Sequence, residues 1–211
     1  MTEHDPFGRG RVCRLFGLDR SAPPPPSTRR GEPLRPWTIP NAVGYLRLAA
    51  LPVFLVLAYN TDDGTSVLSA MVYWAIAAGD YLDGILARIT GQYSRMGALL
   101  DPLVDRLTIL AGAVVCWNFE LLPRWALALL ALREVAMLGL AQYGLRHGVD
   151  IEVNWPGRIS VFPIMGGIFL ALLAPGWVAT ALLIWGLAMA ILATVLYART
   201  GLRAVRGAPA G

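Results

Sequence analysis

The sequence predicts an all-α fold, a polytopic membrane protein with six transmembrane helices, and three observations predict it. The first is bulk composition. Of 211 residues, 56% are hydrophobic and 15% charged, with a mean hydropathy of +0.54, too apolar for an ordinary soluble domain of this length. The second is run length: apolar stretches of about 20 residues, the length a helix needs to cross a bilayer core, recur from residue 40 to about residue 199. They do not alternate with period two, so a β-barrel is not supported. The third is the placement of charge. Arginine clusters before residue 47, around Arg88 and Arg95, around Arg146 and Arg158, and from Arg199 onward, whereas the other connections carry Asp62 and Asp63, Glu120 with Arg124, or no charge. Basic loops stay in the cytoplasm, so both termini and the second and fourth connections are expected there, as an even number of spans requires.

Residues 1–36, with "APPPPSTRRGEPLRP", are rich in Pro, Arg and Gly and lack the apolar core of a secretory signal; they read as a disordered cytoplasmic leader. The membrane domain is expected over 37–200, followed by a short cytoplasmic tail, 201–211. Thr38 is placed to cap the first helix and Pro40 suits its first turn, giving span 1 at about 41–60. After the polar turn "TDDGTS", span 2 runs from about Val67 to Arg88. "ITGQYS" is the next loop, and span 3 covers about 97–117. Span 4, about 125–144, follows Pro123. "RHGVDIEVNWPGRIS" leads to spans 5 and 6, about 159–174 and 177–198, joined by "APGW". Trp177, Trp185 and Tyr197 are available as interfacial anchors.

The formal charge of +4 comes with no lysine at all. No compact basic face interleaved with aromatics appears, so nucleic acid is not an expected partner; the arginines are a topology signal and attract anionic lipid. Cys13 and Cys116 form no disulfide framework or metal-type spacing. His4 and His147 read as loop residues.

The segment "GDYLDGILARITGQYSRMGALLDPLVDRL", residues 79–107, sets four aspartates into this apolar chain. On a helix, Asp80, Asp83, Gly84 and Ala87 share one face; on the next helix so do Gly97, Asp101 and Asp105. Charges at membrane depth cost about 2.5 to 3.5 kcal/mol each on insertion scales and mark functional sites by default. Four carboxylates facing one another repel unless something positive lies between them. A divalent cation answers that need, since Mg²⁺ takes hard oxygen ligands and shares its shell with substrate phosphates, and two ions can clamp both oxygens of a phosphoryl displacement. Arg88 is placed to hold phosphate oxygens. The structural alternative is that the first pair marks a helix end and the second pairs with Arg95 and Arg106.

The segment resembles, position for position, the signature of the CDP-alcohol phosphotransferase (phosphatidyltransferase) family, D-x2-D-G-x2-A-R-x8-G-x3-D-x3-D, at Asp80, Asp83, Gly84, Ala87, Arg88, Gly97, Asp101 and Asp105. "TIPNAVGYLRL", "LREV" and "VNWPGR" also have counterparts in that family, so the likeness covers about residues 38–199. It implies six transmembrane helices with an N-terminal juxtamembrane amphipathic segment, a homodimer, and an active site facing the cytoplasm from the plasma membrane. It further implies two divalent ions, Mg²⁺ or Mn²⁺, held by the four aspartates, and CDP-diacylglycerol bound near Asp80, Gly84, Ala87, Arg88 and Gly97. Asp105 is the implied base that deprotonates the acceptor hydroxyl, which then attacks the β-phosphorus and expels CMP. Asn41 and Arg47 lie where the opening helix of the family approaches the nucleotide, although Arg47 is also placed to snorkel to the interface.

The acceptor is read from what differs. Family members that make phosphatidylglycerophosphate carry a second span-4 arginine where this chain has Ala141, and a second cation before span 5 where it has Ser160. Arg158 and Arg133 remain as acceptor-side cations, Arg133 alternatively forming a buried ion pair with Glu134. "VNWPGRISVFPIM" resembles the actinobacterial cardiolipin synthases of this fold. The expected reaction therefore transfers a phosphatidyl group to phosphatidylglycerol, with glycerol 3-phosphate as the alternative acceptor. Two other classes fit the sequence less well. Aromatic prenyltransferases have more spans and different acidic motifs, and a cation carrier would set its acids near mid-span on several helices.

Overall fold

The computed structural model describes residues 33–146 and 159–207. Most of the expected leader and the stretch that contains His147 and Arg158 lie outside them. Every regular element among the described residues is helical: α1 (Ile39–Tyr59), α2 (Val67–Thr90), α3 (Arg95–Asn118), α4 (Arg124–Arg146), α5 (Val161–Leu173) and α6 (Trp177–Gly207). These agree with the six expected segments to within a few residues except at the end of α6, which continues beyond 198. Leu202 to Arg206 are mostly good helix formers, and the next proline is Pro209.

Helix α1 starts as its sequence dictates. The Thr38 hydroxyl accepts the Asn41 backbone N–H at 3.3 Å, an N-cap bond, and Pro40 occupies the first turn. Two helices are long and apolar enough to cross a membrane, Ile39–Tyr59 and the Trp177–Leu196 part of α6; Val161–Leu173 is a shorter apolar helix. Helices α2, α3 and α4 have ample length, but α2 and α3 carry the aspartates of the candidate site and α4 carries Arg133 and Glu134.

The chain divides into two units. Within residues 33–53 and 74–108, Leu51, Ile76, Leu100 and Val104 are buried. Leu100 fits against Gly44, where a Cβ would stand 2.6 Å from its Cδ2. The lead-in and first residue of α1 are tied to the α2–α3 connection and the first turn of α3: the Met96 N–H donates to the Leu34 carbonyl at 3.1 Å and the Ile39 N–H to Gln92 Oε1 at 3.1 Å.

Within residues 54–73 and 109–207, Phe54, Tyr73, Val115, Leu130, Ile168 and Leu183 are among the fully buried side chains. Helices α5 and α6 approach backbone to backbone at two glycines. A Cβ on Gly167 would lie 2.9 Å from the Leu183 nitrogen, and one on Gly186 would lie 2.8 Å from the Ile164 nitrogen. Close contact through small residues is how helices associate where lipid, not water, surrounds them. The turn before α2 is built on Asp63, whose Oδ1 accepts the Thr65 N–H at 2.9 Å and its hydroxyl at 2.8 Å; these bonds hold the exposed Asp63 carboxyl below the usual carboxylate range.

Around this apolar core, burial departs from that of a water-soluble domain in two ways. Leu46, Val67, Leu132, Val135, Phe162 and Trp177 are exposed, while Asn41, Arg47, Asp83 and Glu134 are buried. Water disfavours both halves of that pattern.

Candidate active site

The site lies within the first unit, where the C-terminal half of α2 faces the N-terminal half of α3 and the start of α1. Its centre is a guanidinium. Arg47, 3% exposed, reaches from α1 past Gly79, and its Nε donates to the Ile76 carbonyl at 2.9 Å. Nη1 donates to Asp83 Oδ2 at 3.0 Å and lies 3.4 Å from Asp80 Oδ1, while Nη2 donates to Asp105 Oδ1 at 2.6 Å. One planar fork therefore joins carboxylates of two helices. Asp101 lies near enough to Asp80 and Asp83 for their charges to interact. All four predicted aspartates thus come together, Asp83 buried and the other three half-buried.

The remaining motif residues lie on the same two helices. Gly84 leaves its face open toward Arg88, whose Nη2 would be 3.6 Å from an added Cβ. Gly97 is required by space, since a Cβ there would meet Asn41 Oδ1 at 2.7 Å. Asn41 is buried with its amide committed to protein: Nδ2 donates to the Arg35 and Pro36 carbonyls at 3.1 and 3.0 Å, and Oδ1 accepts the Ser94 hydroxyl at 2.9 Å. The Gly97 N–H in turn donates to Ser94 Oγ at 3.0 Å. Asn41 therefore fastens the start of α1 to the start of α3, and its bonds define a clamp beside the cluster.

Arg133 belongs to the second unit. It is held by an ion pair with Glu134 and by Thr194, whose Oγ1 accepts its Nε–H at 3.3 Å, the buried-pair alternative of the sequence. Ser160 is buried.

The donor set suits a hard divalent ion, because four carboxylates on two helices supply only oxygen ligands. Among the described residues, however, no three His, Cys, Asp or Glu side chains are grouped to hold one ion; Arg47 bridges three of the aspartates instead. Sequence reasoning left Arg47 as a nucleotide contact or a snorkelling residue and missed Gly79 and Ser94. One signal was available: a lone arginine in the apolar run of α1 needs a buried acidic partner.

The chain, whose regular elements among the described residues are all helices, belongs to the CDP-alcohol phosphatidyltransferase family, whose sequence profile matches residues 37–194. It is accordingly an enzyme of that class, and the family generally uses divalent metal ions. Among its relatives, the CMP-forming cardiolipin synthase of Streptomyces coelicolor is 38% identical over 167 residues, covering 76% of this chain and 77% of the relative. A probable phosphatidylglycerophosphate synthase of Mycobacterium tuberculosis is 34% identical over 178 residues, covering 79% and 83%. The CDP-diacylglycerol–glycerol-3-phosphate 3-phosphatidyltransferase of Bacillus subtilis is 25% identical over 138 residues, covering 60% and 72%.

Proposed function

We propose that this chain is a multi-pass phospholipid synthase of the plasma membrane that transfers a phosphatidyl group from CDP-diacylglycerol to phosphatidylglycerol, forming cardiolipin and CMP. The observation that carries the reaction is the convergence of Asp80, Asp83, Asp101 and Asp105 on the two helices that also carry Arg88 and Gly97. These four aspartates would hold two divalent ions, Mg²⁺ or Mn²⁺, which when bound supply positive charge to the diphosphate. Arg88 binds phosphate oxygens, and the small residues Gly84, Ala87 and Gly97 leave room for the CDP moiety. Asp105 takes the proton of the acceptor hydroxyl as its oxygen bonds to the β-phosphorus; the bond from that phosphorus to the bridging oxygen breaks, and CMP leaves.

The name of the Streptomyces relative supports phosphatidylglycerol as acceptor, as does charge counting. Free glycerol 3-phosphate carries close to two negative charges and wants several cations, but Ala141 and Ser160 stand where its users carry them. Arg158 is the acceptor-side cation in this reading. The second reading, glycerol 3-phosphate as acceptor, is favoured by the names of the other two relatives. The reaction class is tested by CMP release, expected only when CDP-diacylglycerol, an acceptor and Mg²⁺ or Mn²⁺ are all present; metal uptake without lipid turnover would favour a carrier.

Six spans with the site facing the cytoplasm are supported by the apolar surface and by arginine placement. In a variant without Cys13 and Cys116, single cysteines at exposed positions 92 and 62, Gln92→Cys and Asp62→Cys, are expected to label from opposite faces of the membrane. Labelling from one face would reject that topology. A homodimer completes the proposal, carried by the family likeness alone.

A further inference from the structure

We propose that Arg47 is the resident counter-cation of the aspartate cluster: it holds Asp80, Asp83 and Asp105 together when no divalent ion is bound, and it competes with divalent ions for the same carboxylates. The proposal rests on the metal reading above. Three features define the role. Asp80 and Asp83 on α2 and Asp105 on α3 meet one guanidinium at 3.4, 3.0 and 2.6 Å, although without a cation their charges would drive them apart. The guanidinium has a built seat: Nε is fixed by the Ile76 carbonyl, and the stem passes Gly79, where a Cβ would stand 2.7 Å from Cδ. Lastly, the side chain is only 3% exposed, so this arginine is not extended toward an interface.

A buried charge of this kind is tolerated only when paired. Arg47 faces three carboxylates, Arg106 adds positive charge near Asp105, and Asp101 adds negative charge near Asp80 and Asp83; the oxygens that Arg47 holds are the ones an incoming divalent ion would seek. The same oxygens serve both cations, so each weakens the other's hold. Arg47 is a positioning residue for Asp83 and Asp105, linking the helix that carries one to the helix that carries the other.

The test uses the full-length protein in detergent, with Mn²⁺ alone as the probe, and reads thermal stability after chelation and Mn²⁺ affinity. Arg47→Gln is expected to lower the metal-free melting midpoint by roughly 5 °C or more and to tighten Mn²⁺ binding at least about tenfold by removing the competing charge. Arg47→Lys keeps the charge but loses the fork, and is expected to fall between wild type and the glutamine variant in both readouts. Should the glutamine variant not fold without metal, the lysine variant still reports, because its Mn²⁺ affinity must exceed that of wild type. Unchanged or weaker Mn²⁺ binding in the variants, or lysine and glutamine variants that behave alike as in a packing role, would overturn the proposal. Absence of Mn²⁺ binding by wild type itself would overturn the metal reading and the competition with it, and is recognised because the wild-type titration is then silent.

Discussion

Asp105→Asn is expected to lower CMP release by about two to four orders of magnitude while leaving CDP-lipid binding within about threefold. The structure explains why the two effects should separate. Asp105 Oδ1 accepts the Arg47 Nη2–H at 2.6 Å, and an asparagine can present its amide oxygen to the same donor, so the link between α1 and α3 survives. In the proposed mechanism the capacity lost is that of accepting a proton from the acceptor hydroxyl. Stopped turnover with retained CDP-lipid binding is the signature of that loss. Near-normal CMP release from the variant would remove Asp105 from the role of base and leave it a counter-ion of Arg47.

Asp83→Asn is expected to raise the Mg²⁺ concentration needed for half-maximal activity by at least about tenfold. Asp83 is the most buried of the four aspartates, 4% exposed, and its bond to Arg47 at 3.0 Å admits two accounts. As a metal ligand it sets the metal requirement; as a partner of Arg47 alone it sets stability. Removing one partner of a buried ion pair costs about 3 to 5 kcal/mol when the remaining charge is stranded, but Arg47 keeps Asp80 and Asp105, so the variant should still fold. An unchanged metal titration in a folded, less stable Asp83→Asn protein would assign Asp83 to the structural account.

The limits of the six helices were legible because each is an apolar run bounded by turn residues, and those signals are local. The Thr38 cap and the turn at Asp63 were legible for the same reason. The four aspartates were legible as a group because their spacing of three and four residues puts each pair on one helix face. Arg47 was not, because its partners lie 33 to 58 residues away, and no periodicity within α1 reports which carboxylates it will meet. At Asn41 the sequence suggests a ligand contact, an amide near a binding motif, and the structure adds what no local pattern reports: its Nδ2 donates to the Arg35 and Pro36 carbonyls, which only the path of the preceding segment brings within reach. Arg133 shows the converse. Adjacent residues 133 and 134 point away from each other on an ideal helix more than residues three or four apart, yet burial leaves the two opposite charges paired. Helix α6 outlasts the span expected over about 177–198, whose apolar part ends at Leu196, because hydropathy falls there whereas helix propensity continues.

The most direct test of the account is the identity of the lipid made by the purified protein from CDP-diacylglycerol and Mg²⁺ when phosphatidylglycerol, glycerol 3-phosphate or inositol phosphate is supplied separately, read by mass. A cardiolipin product formed with phosphatidylglycerol, with no phosphatidylglycerophosphate formed from glycerol 3-phosphate, is the predicted result. Conversion of glycerol 3-phosphate to phosphatidylglycerophosphate with no use of phosphatidylglycerol would contradict the acceptor assignment made from Ala141 and Ser160.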